Sequence, residues 1–276
     1  MTGTSTQPAR AGADWLRLRE RADGRARSTS LVSRVRGLLP DGRALVVHDL
    51  GAGSGSMARW LAPQLRGPQH WVLHDRDDEL LALAATHPPV VAADQAPVSA
   101  ETRCDDITRL PAEVLASADL ITASALLDMM TADELDRFVA GCVAARCPVL
   151  IALSVTGEVG LRPAEPLDAL VREAFNAHQQ RRTPDGALLG PAAAARAVEA
   201  FHRHGALVAL RPTPWVLGTD QAALIREWLA GWWSAACAQE PELARHDDYL
   251  PRRSAQLRTG RLVVTVPHVD LLAWPR

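Results

Sequence analysis

Lysine is missing from all 276 residues, so the 30 basic side chains are arginine. That absence excludes a lysine Schiff base, a lysine general base and the lysine of a phosphate-binding P-loop. Cysteine is scarce. Cys104, Cys142, Cys147 and Cys237 lack the paired spacing of a zinc site, and a chain of this length does not need disulfides, so they are expected to be reduced and mostly buried. No apolar run reaches the roughly 18 residues of a membrane span, and the first residues, MTGTSTQPARAGADW, lack the hydrophobic stretch of a secretory signal. The expectation is a cytoplasmic protein without a membrane partner. A net charge of -2 gives no global basic field of the kind that drives non-specific binding to nucleic acid.

What remains is the composition of a globular chain: 47% hydrophobic residues, 22% charged residues and a mean hydropathy of -0.05. Residues 13 to 39 carry apolar positions, including Trp15, Leu16, Leu31 and Val35, among many arginines, then Pro40-Asp41-Gly42. They are expected to form one or two helices ending at a turn. Arg10, Arg17, Arg19, Arg21, Arg25, Arg27, Arg34 and Arg36 make this the most basic stretch, and a solvated helix face is the simplest explanation.

From Ala44 the pattern changes. Short apolar runs at Ala44–Asp49, Trp71–His74, Glu101–Cys104, Leu120–Ala123 and Val149–Leu153 read as strands. Helical periods separate them at Ser56–Gln64, Asp78–Ala85, Pro111–Ala116 and Ala132–Ala145. Near-continuous apolar strands alternating with amphipathic helices argue for an α/β fold whose parallel sheet is covered on both faces. Beyond Ser154 the rhythm loosens. Helices are expected over Pro166–Gln180, Pro191–His204 and the tryptophan-rich Gln221–Ala238, with strands at Ala206–Leu210 and, last, Arg261–Val266. No repeat of about 20–50 residues is present, which argues against solenoids and propellers.

The informative stretch is Asp49-Leu50-Gly51-Ala52-Gly53-Ser54-Gly55, where the first strand runs into a glycine turn and then a helix. Without side chains, Gly51, Gly53 and Gly55 let the backbone bend sharply and let a ligand lie against it, at the carboxyl end of a parallel sheet. The next strand ends in Asp75, where a doubly wound fold holds ribose hydroxyls with a carboxylate. The third ends in Asp105-Asp106-Ile107, where an acidic group can accept from the exocyclic amine of adenine. Asp106 is preferred because Ile107 beside it can pack on the adenine face. Each position has a plainer reading as well: a tight turn for the glycines and a helix cap for the aspartates.

This order resembles the class I S-adenosylmethionine-dependent methyltransferases over roughly Ala44 to Leu153. The resemblance implies a Rossmann-like methyltransferase sheet, mostly parallel with an antiparallel C-terminal strand. It would comprise an N-terminal helical extension over residues 1–40 and a domain over 41–276, with cap elements around 160–200 and 220–255. It implies S-adenosylmethionine as cofactor, with Asp49, Gly51, Gly53 and Gly55 at the methionine end, Asp75 and the following Arg76 at the ribose, Asp106 and Ile107 at the adenine and Ser124 at the sulfonium side. A third glycine in the G-x-G-x-x-G place is absent, which disfavours a nicotinamide enzyme.

Methyl transfer is an in-line displacement, so the protein mainly aims a nucleophile and excludes water. With lysine absent, a base would be His, Asp, Glu or Tyr. Asp128, in the loop after the fourth strand, is an acidic group in an apolar run and is expected to contact substrate or a structural donor. Phe175, His178 and Gln179 can share one face of a helix near the pocket mouth, whereas Asn176 and His178 cannot. His178 is the leading candidate for the base, with Asn176 and Gln179 as acceptor contacts. The stripe Leu224, Trp228, Leu229, Trp232 and Ala236 is either core or, with Trp232 and Tyr249, an aromatic lid over the acceptor. No histidine group has a recognised metal spacing. The function expected is methylation of a small molecule, with specialised metabolism as one setting. The alternatives are an RNA methyltransferase gripping phosphates with the arginine-rich N-terminus, and a non-catalytic cofactor-binding partner protein.

Overall fold

Three helices begin at side chains that accept from their free N–H groups, and the apolar runs between helices pair as strands, in the computed structural model, which describes residues 12–276. The polar leader and Arg10 lie outside the described residues. In chain order the elements are α1 (Ala13–Ala26), α2 (Thr29–Arg36), β1 (Leu45–Leu50), α3 (Ser56–Leu61), β2 (Gln69–Asp75), α4 (Asp78–Thr86), β3 (Val98–Cys104), β4 (Leu120–Ser124), α5 (Ala132–Ala144) and β5 (Val149–Val155). They continue with β6 (Gly160–Arg162), α6 (Leu167–Gln179), β7 (Arg182–Thr183), β8 (Gly186–Ala187), α7 (Ala193–Arg203), β9 (Leu207–Pro212), β10 (Trp215–Leu217), α8 (Ala222–Gln239), α9 (Tyr249–Arg258), β11 (Val263–Val266) and β12 (His268–Trp274). Ser28, Asp77 and Thr131 cap α2, α4 and α5, and Thr131 with Glu134 closes a reciprocal capping box.

Seven strands form the main sheet in the order β3-β2-β1-β4-β5-β12-β9. The first five are parallel, and β12 runs antiparallel to both of its neighbours. The topology reverses between β1 and β4, which opens the crevice at the carboxyl ends where open α/β sheets receive ligands. One face of the sheet buries Ile121, Val139, Phe138 and Phe201 against α5 and α7; the other buries Leu31, Val47, Leu61 and Trp71 against α2, α3 and α4. A third apolar cluster, with Trp215, Leu229, Trp232, Tyr249 and Val264, joins α6, α8 and α9 to the small antiparallel sheet β10-β11-β6.

The parallel core follows the sequence expectation, and the ending departs from it. The run Arg261–Val266 was expected as the last strand of the sheet. The structure puts β11 in the small sheet instead, and β12, which follows after Pro267, enters the main sheet. Proline has no N–H to continue a ladder, so the chain leaves one sheet there and joins the other. The Pro267 carbonyl accepts from both the backbone N–H and the hydroxyl of Thr156, which pins the crossing.

Candidate active site

The turn after β1 depends on positive backbone angles. Gly51 has φ 72° and Gly53 has φ 53°. A Cβ at Gly51 would come within 3.1 Å of the Leu126 side chain, and one at Gly53 within 3.2 Å of Leu16 Cδ1. Glycine thus answers a backbone need and a space need at once. The turn is tied to β2: Gly51 N–H and Ala52 N–H donate to the His74 carbonyl at 2.8 and 2.9 Å, and Gly53 N–H donates to Asp75 Oδ2 at 2.8 Å.

Asp49, at the end of β1, is 1% exposed. It accepts the Thr122 hydroxyl at 2.7 Å through Oδ1, while Oδ2 is buried with no partner among the described residues. Burial pushes its pKa up to about 6, against the opposing pull of Thr122 and Arg27. Arg27 follows α1 and is 3% exposed. Its Nη2 donates to Ser56 Oγ and Ser124 Oγ at 3.1 Å each, and burial lowers its pKa. One cation therefore connects the N-terminal helices to the start of α3 and the end of β4.

A cavity of about 480 Å³ runs along these strand ends and under the cap. Asp49, Gly51, Gly53, Asp75, Arg76, Asp106, Ile107 and Ser124 all line it. Gly55 does not; with φ 82° it opens α3 as its N-terminal cap residue. Asp105 also lines the cavity and accepts from His74 Nδ1 through Oδ2 at 2.9 Å. Asp106 is partly committed to its own turn, accepting from Thr108 N–H and Thr108 Oγ1 at 3.0 and 2.7 Å.

At the other end stand Asp128, Phe175, Asn176, Gln179 and Trp228. Gln179 Nε2 lies 3.4 Å from Asp128 Oδ2, and Asn176 Nδ2 donates to the Gly157 carbonyl at 2.8 Å. Burial raises the pKa of Asp128. Three further expected residues are not in the lining. His178 is turned out of it: on α6 it lies on the opposite side of the Phe175–Gln179 line from Asn176, and Asn176 takes the cavity side. Trp232, 1% exposed, stacks on Trp228 at 5.1 Å within the cap core. Tyr249, fully buried, donates its hydroxyl hydrogen to Asp168 at 2.7 Å. An apolar stripe facing two neighbouring helices is core rather than lid here.

The sequence reading missed the contribution of α1. Trp15, Leu16, Arg19 and Asp23 line the cavity. Arg19 Nε donates to Asp23 Oδ2 at 2.9 Å, Trp215 Nε1 donates to Asp23 Oδ1 at 3.0 Å, and the guanidinium sits 5.0 Å from the Trp215 ring centre. Among the described residues no three His, Cys, Asp or Glu side chains gather as a metal site.

The donor set fits S-adenosylmethionine. Apart from its α-carboxylate, that cofactor presents an ammonium, a sulfonium, two ribose hydroxyls and an exocyclic amine, all cationic or donating. The strand ends present an unpartnered Asp49 oxygen and the carboxylates of Asp75, Asp105 and Asp106, beside a turn where a Cβ would fill the space.

Residues 47–148 match a family model described as a methyltransferase domain. Among solved structures, the cyclopropane synthase MmaA2 from Mycobacterium tuberculosis is 16% identical, with 88% of this chain and 83% of that one covered and a TM-score of 0.47. A geranyl diphosphate methyltransferase in complex with SAM is 12% identical over 98% and 93%, with a TM-score of 0.45. Magnesium protoporphyrin IX methyltransferase from Synechocystis PCC 6803 is 14% identical over 75% and 84%, also at 0.45. These are distant likenesses and say nothing of the acceptor. No curated protein matches the chain. The parallel sheet with its antiparallel β12, the glycine turn after β1 and the matched family model make residues 47–148 a class I S-adenosylmethionine-dependent methyltransferase domain, and the enzyme's cofactor is S-adenosylmethionine.

Proposed function

We propose that the enzyme methylates a small-molecule acceptor held between α1, the loop after β4 and the cap helices α6 and α8. The observation that carries this reading is the single cavity of about 480 Å³ that joins the glycine turn to aromatic walls at Trp15, Phe175, Trp215 and Trp228. That volume lies in the usual range of a small-ligand site. When bound, S-adenosylmethionine supplies a methyl group activated by its sulfonium charge.

The protein's residues then have separate tasks. Asp49 and the glycine turn take the methionine end, Asp75 with Arg76 the ribose, the Asp105–Ile107 strand end the adenine, and Ser124 the sulfonium side. Asp128 accepts the hydrogen of an O–H or N–H acceptor; it lines the cavity, and its burial makes it a stronger base than an exposed carboxylate. His178 lies outside the lining, and the base role passes to Asp128. Asn176 and Gln179 orient the acceptor. Trp15, Trp215 and Trp228 exclude water and favour a flat or apolar body.

The arginine-rich N-terminus does not favour RNA. Arg27 is buried, Arg19 pairs with Asp23, Arg25 with Asp220, and Arg34 lies 4.2 Å from the Trp274 ring centre. These side chains are spent on the fold rather than presented as a phosphate-binding face. A cytoplasmic location goes with this reading; among the described residues no helix is long and apolar enough to cross a membrane. The test is incubation with methyl-labelled cofactor and a small-metabolite extract. Label in a low-molecular-weight product supports the proposal, and label confined to RNA, or none transferred, contradicts it.

A further inference from the structure

We propose that His48 and His74 form a positioning chain that holds Asp105 as the acceptor for the cofactor's exocyclic purine amine, so that two buried imidazoles set the preference for a 6-amino purine. The inference rests on the cofactor assignment and on the order of the strand ends. A ligand lying across the sheet edge with its ribose at Asp75, on β2, carries its base one strand further, to the end of β3. Two carboxylates stand there. Asp106 is folded back onto Thr108, with Arg109 at 3.5 Å, and its side chain is 51% exposed. Asp105 instead reaches inward to a buried donor.

That donor is the end of a chain. His48 on β1 and His74 on β2 project from the face opposite Val47, Trp71 and Leu73, and are 2% and 0% exposed. Their rings stack at 5.2 Å with 17° between planes. His48 Nδ1 lies 2.9 Å from His74 Nε2, and His74 Nδ1 lies 2.9 Å from Asp105 Oδ2. The direction of the protons follows. An ionised carboxylate only accepts, so His74 Nδ1 donates to it; a neutral imidazole has one donor and one acceptor, so His74 Nε2 accepts from His48 Nδ1. Burial holds both rings in the neutral form, with His48 pushed down to about 4 and His74 also lowered, against Asp105 and Glu101, which pull upward; Arg103 works with burial.

Packing gives no reason for this arrangement. Two buried imidazoles carry a desolvation cost that a leucine pair would not. What the chain accomplishes is to occupy Oδ2 of Asp105 and fix its rotamer at the rim of the cavity, with Oδ1 left without a protein donor among the described residues.

The test measures binding, not turnover. Titration calorimetry on the full chain compares S-adenosylhomocysteine with S-inosylhomocysteine, in which a carbonyl oxygen replaces the amine. The wild type is expected to favour the adenosyl ligand by about tenfold or more, the scale of one hydrogen bond to a charged group. His74→Leu should abolish most of that preference while leaving inosyl affinity within about twofold, and His74→Asn, which keeps a donor near the Nδ1 position, should restore much of it. Asp105→Asn turns an amide N–H toward the base and should reverse the preference, an outcome that does not depend on the histidine variants folding. Equal loss for both ligands in His74→Leu, or an unchanged preference in either His74→Leu or Asp105→Asn, overturns the proposal. Failure of the wild type to bind either ligand would instead contradict the cofactor assignment.

Discussion

Thr122 donates its hydroxyl hydrogen to Asp49 at 2.7 Å, which joins β4 to the carboxylate at the end of β1 in the middle of the crevice. The bond is buried, and among the described residues Thr122 is the one side-chain donor to Asp49, whose Oδ2 has no partner there. Thr122→Val keeps the shape and removes the donor. Its expected cost is about 1–3 kcal/mol of stability, because a buried acceptor is left unsatisfied. Thermal unfolding of the free protein checks this, and cofactor affinity should fall as well.

The pKa of Asp49, raised by burial to about 6, makes cofactor binding depend on pH. Below that value the free protein carries Asp49 protonated, and a cationic ligand end placed beside it must displace the proton. Affinity should therefore be constant above about pH 7 and fall as pH drops through 6, by about tenfold per unit once well below it for a single linked proton. Calorimetry in buffers of different ionisation enthalpy should show proton release near pH 6. Asp49→Asn should remove both effects.

Arg27 and Arg17 belong to the same basic stretch and should respond very differently. Arg27→Met loses the bonds to Ser56 and Ser124 and should destabilise the protein by about 2–3 kcal/mol while weakening cofactor binding. Arg17 pairs with Asp14 on an exposed face, with both side chains at least 80% exposed, and Arg17→Ala should be near neutral. Parallel denaturation curves separate the two.

Asp128 and His178 provide a contrast in turnover. Asp128→Asn should lower kcat by about a hundredfold or more with cofactor affinity retained, on the usual scale of a general base. His178→Ala should leave kcat within about twofold, since the side chain does not line the cavity. Steady-state kinetics with the identified acceptor measures both, and the opposite ranking would return the base role to His178.

The strand-end lining of the cavity, which we propose holds the cofactor, is legible in the sequence because its signals are local. A glycine turn follows an apolar strand, and Asp75 and Asp106 end the next two, each within a few residues of a recognisable run. The acceptor half depends on long-range packing. Arg19 and Arg27 look like a solvated face until α1 is folded onto the crevice, where Asp23, Ser56 and Ser124 receive them. Asn176 and His178 are two residues apart, and helix phase alone does not say which side meets the cavity. The stripe of Trp228 and Trp232 divides, with Trp228 lining the cavity and Trp232 filling the cap core. The last strand was missed because Pro267 separates two apolar runs that the structure assigns to different sheets.

A structure of the protein bound to S-adenosylhomocysteine would decide the matter. The ligand should lie across the ends of β1, β2 and β3, against Gly51 and Gly53, with its ribose hydroxyls within hydrogen-bond distance of Asp75. Density for the ligand at any other place on the molecule, or a ribose without contact to Asp75, would contradict the reading of this crevice.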